Sequence, residues 1–172
     1  MQVLLESQQF EQALDDLADR IRRDIPAGWP VALVGVLRRG DALARRLAER
    51  LRKAGLTDIG IGALDITLYR DDLAQKGPEA VVRTTDILFD VTGRYIVLVD
   101  DVLYTGRTSR AALDALTYLG RPLAIRLAVL VERPGRQMPI QADYAGLKLA
   151  RVDGDVRVYL RETDGQDRVE MD

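Results

Sequence analysis

Apolar residues recur at Phe10, Leu14, Leu17, Ile21 and Ile25, three or four positions apart, and this spacing predicts an amphipathic helix over residues 7–25. Ser7 is expected to cap it, and Pro26, Gly28 and Pro30 to end it. The pattern then changes. Residues 31–36 form a short continuous apolar run, the pattern of a strand buried on both faces, and residues 41–54 return to helical spacing with Leu43, Leu47 and Leu51 on one face and Gly55 as the stop. Residues 59–68 read as a further strand. Residues 70–85 carry Gly77, Pro78 and no clear period, which predicts a long loop of the kind that is usually functional or disordered. A strand is expected at 95–101, a helix at 108–119 stopped by Gly120, a strand at 125–131, and two short late strands at 142–146 and 156–160. Strands alternating with helices predict an α/β domain built on a mainly parallel sheet, with residues 1–172 as a single domain.

The candidate chemistry lies at the carboxyl end of the third expected strand, where ligands bind in parallel α/β sheets. Val97, Leu98 and Val99 run directly into Asp100 and Asp101, followed by Val102, Leu103, Tyr104, Thr105, Gly106, Arg107, Thr108 and Ser109. Two adjacent acceptor-only side chains suit the vicinal hydroxyls of a sugar. Gly106 permits a left-handed turn that points successive N–H groups inward, and Thr108 and Ser109 open a helix whose positive end favours a phosphate. Taken separately, the acids also fit a metal-binding or capping pair, and the small residues an ordinary turn.

A second loop, Arg38-Arg39-Gly40, joins the first buried strand to its helix. Two arginines beside a positive helix end are unfavourable unless an anion intervenes, and guanidinium forks suit phosphate oxygens. The alternative is a pair of solvated cations beside Asp41. In the long loop, Arg70 is placed to neutralise a departing anion, while Asp71 and Asp72 are candidates for pairing with surface arginines. Such a loop suits a lid that closes over a water-sensitive centre.

Composition narrows the chemistry. The chain has no cysteine and no histidine, so thiol chemistry and imidazole acid–base or metal chemistry are excluded, leaving carboxylates, arginines, main chain and hard cations. A net charge of -2 gives no global attraction to nucleic acid, so RNA binding would require a local patch. No basic start, and no apolar run of the eighteen or so residues a span needs, leads to the expectation of a cytoplasmic protein without membrane partners.

Val-Asp-Asp-Val-Leu-Tyr-Thr-Gly-Arg-Thr at 99–108 resembles the loop of type I phosphoribosyltransferases that binds 5-phosphoribosyl-1-pyrophosphate (PRPP). Together with Asp-Ile-Thr-Leu-Tyr-Arg-Asp-Asp-Leu at 65–73, Gly-Arg-Pro at 120–122 and Leu-Ala-Val-Leu-Val at 127–131, it is similar to the bacterial pyrimidine-operon regulators of the PyrR family, over residues 5–165. That resemblance implies the type I phosphoribosyltransferase fold with a small hood formed by late strands at about 140–165. It implies transfer of a phosphoribosyl group from PRPP to uracil, giving UMP and diphosphate, with Mg2+ held mainly by substrate near Asp100 and Asp101. It implies catalytic roles for Asp100, Asp101 and Arg70, and pyrophosphate binding by Arg38, Arg39 and Gly40, although Arg38 stands where a threonine is common. Main chain near Val156, Arg157 and Val158 is expected to read the base.

The family also implies UMP-dependent binding to pyrimidine-operon leader RNA, with transcription attenuation or related control. Arg20, Arg22, Arg23, Arg133, Arg136, Lys148 and Arg151 are the candidate contacts, gathered by assembly into a homodimer or homotetramer. Gln141 and Gly135 depart from the basic residue and the histidine found in relatives. Tyr104 occupies the position where purine-specific relatives carry an acid, so either Asp101 relays the base proton or the base enters already ionised. A uracil salvage enzyme without RNA binding, an idle UMP-sensing RNA binder, a purine enzyme and a phosphosugar synthase are the competing readings; chain length argues against the last.

Overall fold

The computed structural model describes residues 1–66 and 85–172. The expectations for the long loop, Arg70, Asp71 and Asp72 among them, lie outside the described residues. The elements in chain order are β1 (Gln2–Leu5), α1 (Ser7–Asp24), β2 (Val31–Val36), α2 (Arg39–Lys53), β3 (Ile59–Leu64), β4 (Tyr95–Leu103), α3 (Arg107–Leu119), β5 (Ala124–Glu132), β6 (Tyr144–Lys148), β7 (Val156–Tyr159), α4 (Arg161–Asp164) and β8 (Arg168–Met171).

Among the described residues, five strands form a parallel sheet in the order β3-β2-β4-β5-β6. Continuous apolar runs make its inner strands, because both faces are covered. Along β4 the side chains alternate: Tyr95, Val97 and Val99 pack with α1 and α2, while Ile96 and Leu98 pack with Ala111, Ala112, Ala115 and Leu116 of α3. Ile96, Val97, Leu98 and Val99 are at most 1% exposed, and burying each contributes about 1.5–3 kcal/mol. That burial fixes where β4 emerges, and therefore where its two acids stand.

A second, antiparallel sheet has the order β1-β8-β7. It shares the α1/α2 core through Leu5, Val158, Leu160 and Val169. This corrects the expected hood. Residues 142–146 are not part of a late cap: Tyr144 and Ala145 are 3% and 7% exposed and pair with Ala128 and Val129 as the edge of the parallel sheet. The sheet that holds β7 is completed instead from the two ends of the described chain: β8 pairs with β7 and β1 with β8, and Val169 and Leu5 join Val158 in the core.

The small sheet is tied to the helices by charge. Arg46 of α2, 5% exposed, donates from Nε to Glu162 of α4 at 2.8 Å and from Nη2 to Asp167 at 2.8 Å, with Phe10 under its guanidinium at 5.7 Å. The Ser7 hydroxyl donates to the Asp167 carbonyl at 2.8 Å, and the Arg161 amide donates to the Asp167 carboxylate at 3.0 Å.

Candidate active site

The carboxyl ends of β2 and β4 open into a cleft of about 280 Å3 lined by Arg38, Arg39, Asp100, Asp101 and Thr108, with Val36, Leu37 and Ile66. A hollow of about 330 Å3 lies on the outer seam of α1 and α2, but its charges satisfy one another: Asp15 with Arg50 at 2.7 Å and Asp19 with Arg22 at 3.0 Å. The β2/β4 cleft is where the chemistry converges.

Three local devices build it. Gly40 brings the start of α2 against β4, since a Cβ there would lie 2.4 Å from the Val99 carbonyl oxygen and 3.2 Å from the Asp100 Cα. Gly106 adopts φ 87°, a left-handed conformation that a side chain disfavours, and turns the chain from β4 into α3. The Thr105 carbonyl accepts the amides of Gln137 at 2.9 Å and Met138 at 3.0 Å, bracing the turn from behind. Gly40→Ala is expected to cost about 1–3 kcal/mol through overpacking against backbone, visible as a lowered thermal midpoint. An unchanged midpoint would show that α2 can withdraw from β4 freely.

Asp100 and Asp101 lie within β4, which runs two residues further than the sequence pattern indicated. Asp100 is 7% exposed and its Oδ1 accepts the Asp101 amide at 2.9 Å; Asp101 is half-buried and its Oδ1 accepts the Val102 amide at 2.8 Å. These backbone bonds hold both carboxylates in defined rotamers. Arg39 falls in the first turn of α2 rather than before it, 3.4 Å from Asp164 of α4, with a buried Nε that has no hydrogen-bond partner among the described residues. Asp164 is held below the usual carboxylate range, chiefly by the Leu160 amide and further by Thr163 and Arg39. Arg38 is exposed at the cleft, and the Leu37–Arg38 peptide is cis.

The structure sorts the remaining residues of the expected phosphosugar loop. Val97, Leu98, Val99 and Leu103 are in the core and have only main-chain atoms to offer. Val102 is half-buried against the α1/α2 core, Thr105 and Thr108 are half-buried, and Arg107 is exposed with its Nε donating to Gln137 at 3.0 Å. The Ser109 side chain is 2% exposed and lines a separate hollow with Leu113, Ile125 and Leu127, which leaves its amide in the first turn of α3.

Near the small sheet, Val158 is buried in the core and Arg157 pairs with Asp172 at 2.7 Å, so neither side chain is offered to a ligand. Their strand offers its edge instead. The Asp172 amide donates to the Asp155 carbonyl at 3.0 Å, and the register pairs Val156 with Met171 and Val158 with Val169. Antiparallel alternation then turns the amides and carbonyls of Val156 and Val158 away from β8, toward the outer edge of β7. The ends of β7 and α4 reach the cleft loops through Asp155 to Arg133 at 3.8 Å and Asp164 to Arg39.

The expected RNA cations do not form one group. Arg20 is bound to Asp16 at 2.9 Å and to the Ala145 carbonyl at 2.6 Å, Arg22 and Arg23 both pair with Asp19, and Lys148 is 3.3 Å from Glu132. Arg136 and Arg151 are exposed. Arg133 belongs elsewhere: its guanidinium stacks 4.0 Å from the centre of the Tyr104 ring, and its side chain is 12% exposed.

A strand-end acid pair, a glycine turn and an arginine loop thus meet at the tips of β2 and β4. Residues 2–158 match the phosphoribosyl transferase domain. The chain is 47% identical to the bifunctional protein PyrR of Deinococcus deserti, over 98% of this chain and 92% of that one. It is 48% identical to the bifunctional protein PyrR of Thermus aquaticus, over 98% and 93%.

The chain belongs to the PyrR family of phosphoribosyltransferases.

Among solved structures, the hypoxanthine phosphoribosyltransferase of Trypanosoma cruzi has the same fold, with a TM-score of 0.76 at 18% identity over 99% of this chain and 95% of that one. The enzyme of Leishmania tarentolae solved with GMP gives 0.75 at 20% identity, over 98% and 94%. The PyrR relatives span nearly the whole chain, so the resemblance seen in the loop motifs extends through the small sheet. The arginine loop and the glycine turn are placed by the sequence; the bracing of Thr105 by Gln137 and Met138 and the contact of Arg133 with Tyr104 are not, because both arise between residues distant along the chain.

Proposed function

We propose that this PyrR-family protein transfers the phosphoribosyl group of PRPP to uracil, giving UMP and diphosphate, and that UMP strengthens its binding to pyrimidine-operon leader RNA. The observation that carries the reading is the meeting of Asp100 and Asp101 with Arg38, Arg39 and Thr108 in one cleft at the tip of β4. The acids grip the ribose hydroxyls, the amides of residues 105–109 hold the 5-phosphate, and Arg38, Arg39 and the start of α2 hold the diphosphate. The Arg39 Nε, without a hydrogen-bond partner among the described residues, is a donor such an anion can use. The outer edge of β7 offers main-chain donors and acceptors suited to the polar edge of uracil.

Mg2+ fits this donor set. Asp100 and Asp101 are hard oxygen ligands, and the described residues contain no cluster of three or more metal-binding side chains, so the ion would be held largely by the substrate's own oxygens. When bound it neutralises charge on the diphosphate. Arg70, in the undescribed stretch, remains part of the proposal as a neutraliser of the leaving group. The reading takes residues 1–172 as one domain whose cap is the small sheet. The protein is proposed to act in the cytoplasm as a homodimer or homotetramer; no described helix is long and apolar enough to cross a membrane.

The test is turnover with PRPP against uracil, hypoxanthine, guanine and orotate, followed by gel retardation of a pyrimidine leader RNA with and without UMP. Uracil alone should be converted, and UMP should tighten RNA binding, with log affinity falling linearly against log salt. Turnover without retardation would leave a salvage enzyme, and retardation without turnover an RNA-binding sensor.

A further inference from the structure

Arg133 follows β5 directly, and its amide donates to the Leu103 carbonyl at 3.0 Å. This places it beside the last residue of β4, with its guanidinium carbon 4.0 Å from the ring centre of Tyr104, the residue that precedes the Thr105-Gly106 turn. Gly135 lets the following loop close against the same ring, since a Cβ there would lie 2.3 Å from the Tyr104 Cε2. On its other side Arg133 reaches Asp155, which precedes Val156 and the open edge of β7. Arg133 thus stands between the phosphosugar turn and the strand edge proposed to read the base.

Its charge is poorly compensated. The carboxylate near it belongs to Asp155, 84% exposed and 3.8 Å away, and Glu132 is engaged by Lys148 at 3.3 Å. The Arg133 Nε is buried with no hydrogen-bond partner among the described residues. A buried guanidinium with an unused donor is costly unless a ligand supplies an acceptor or a negative charge. A cation-π contact with Tyr104 offsets part of that cost and fixes the orientation, but it accepts no hydrogen bond.

We propose that Arg133 is a catalytic residue that stabilises the negative charge appearing on the pyrimidine as its ring proton is lost. The inference rests on the uracil phosphoribosyltransferase reading and supplies its missing element, since Tyr104 stands where an acid would otherwise accept that proton. In the reaction, N1 of uracil gives its proton to water and forms a bond to C1′ of the ribose. The bond from C1′ to the diphosphate oxygen breaks, and its electron pair leaves with diphosphate. Charge on N1 spreads to the ring carbonyl oxygens before the new bond is complete, and a hydrogen bond from a guanidinium to such an oxygen strengthens as that charge grows. A cation thereby favours the ionised base, whereas a carboxylate in the same place would repel it.

The test compares uracil with 5-fluorouracil, whose fluorine makes the ring N–H more acidic, in wild type, R133Q and R133K. R133Q is expected to lower kcat/KM with uracil by about 10- to 100-fold. Its loss with 5-fluorouracil should be several-fold smaller, because that base ionises with less help, and R133K should retain more activity than R133Q. Equal losses on the two bases, which a merely structural support for Tyr104 would give, overturn the inference, as does an undiminished R133Q. If R133Q does not fold, the same comparison on R133K decides the question. Wild-type protein inert toward both bases would overturn the uracil reading together with this inference; an active wild type with equal losses overturns this inference alone.

Discussion

Arg46→Ala is expected to destabilise the fold by about 3–5 kcal/mol at neutral pH, the usual cost of removing one partner from a buried ion pair. The loss is large because Asp167, with a side chain 6% exposed, would remain charged in the interior without its buried guanidinium partner. Arg46 is also the group that joins α2, at whose start the arginine loop lies, to α4 and to the turn before β8. Urea denaturation at pH 7 measures the change, and a midpoint near wild type would show that the small sheet is held by its apolar face alone.

The pH dependence follows from the same contacts. Glu162 lies below the usual carboxylate range because Arg46 hydrogen-bonds it, which outweighs its partial burial. At Asp167 burial pushes the other way, yet Arg46 and the Arg161 amide still hold the carboxyl below its ordinary value. Groups whose folded pKa is depressed contribute stability that is fully present above the unfolded carboxylate values, about 3.9–4.3, and is lost as pH falls through the folded values. The stability difference between wild type and Arg46→Ala should therefore hold from pH 7 to about 5 and shrink in stronger acid. A gap that stays constant down to pH 2 would contradict the assignment.

Asp101→Asn is expected to lower kcat/KM for UMP formation by about ten to a few hundredfold, the equivalent of one charge-assisted hydrogen bond of roughly 1.5–3 kcal/mol. The substitution keeps the bond from the Val102 amide, because the asparagine carbonyl oxygen can replace the Asp101 Oδ1, so folding should be little affected. What it removes is the charge facing the cleft. Asp100 makes a less clean test, since it is more deeply buried and its Oδ1 receives the Asp101 amide. Steady-state kinetics with PRPP and uracil, beside a thermal melt, separates the two effects. An unchanged rate would remove Asp101 from the mechanism.

The parts of the molecule legible in the sequence are those whose determinants are local. The run Ile96–Val99 marks a strand covered on both faces, and the acids and Gly106 that follow mark the site, because each property belongs to a few adjacent residues. The two ends of the chain were not legible. β1 and β8 are four residues each, pair across nearly the whole sequence, and in β8 place Val169 inward between the charged Arg168 and Glu170, too short an alternation to read as a strand. The same distance hid the cap of α1. Glu6 occupies that position, with its amide donating to Gln9 at 3.0 Å, while Ser7 is drawn to the Asp167 carbonyl by a contact 160 residues away. Tyr144 and Ala145 read in the sequence as any short apolar segment, and their place at the edge of the parallel sheet comes from Ala128 and Val129 beside them. The arginines of α1 show the limit of counting charge, since acids one turn away neutralise them.

The most direct test of the central claim is a crystal structure of the protein with UMP. The nucleotide should lie across the tip of β4, with its 5′-phosphate on the amides of residues 105–109, its ribose hydroxyls on Asp100 and Asp101, and its base toward the outer edge of β7. UMP bound at another surface, with that cleft holding only solvent, would contradict the account.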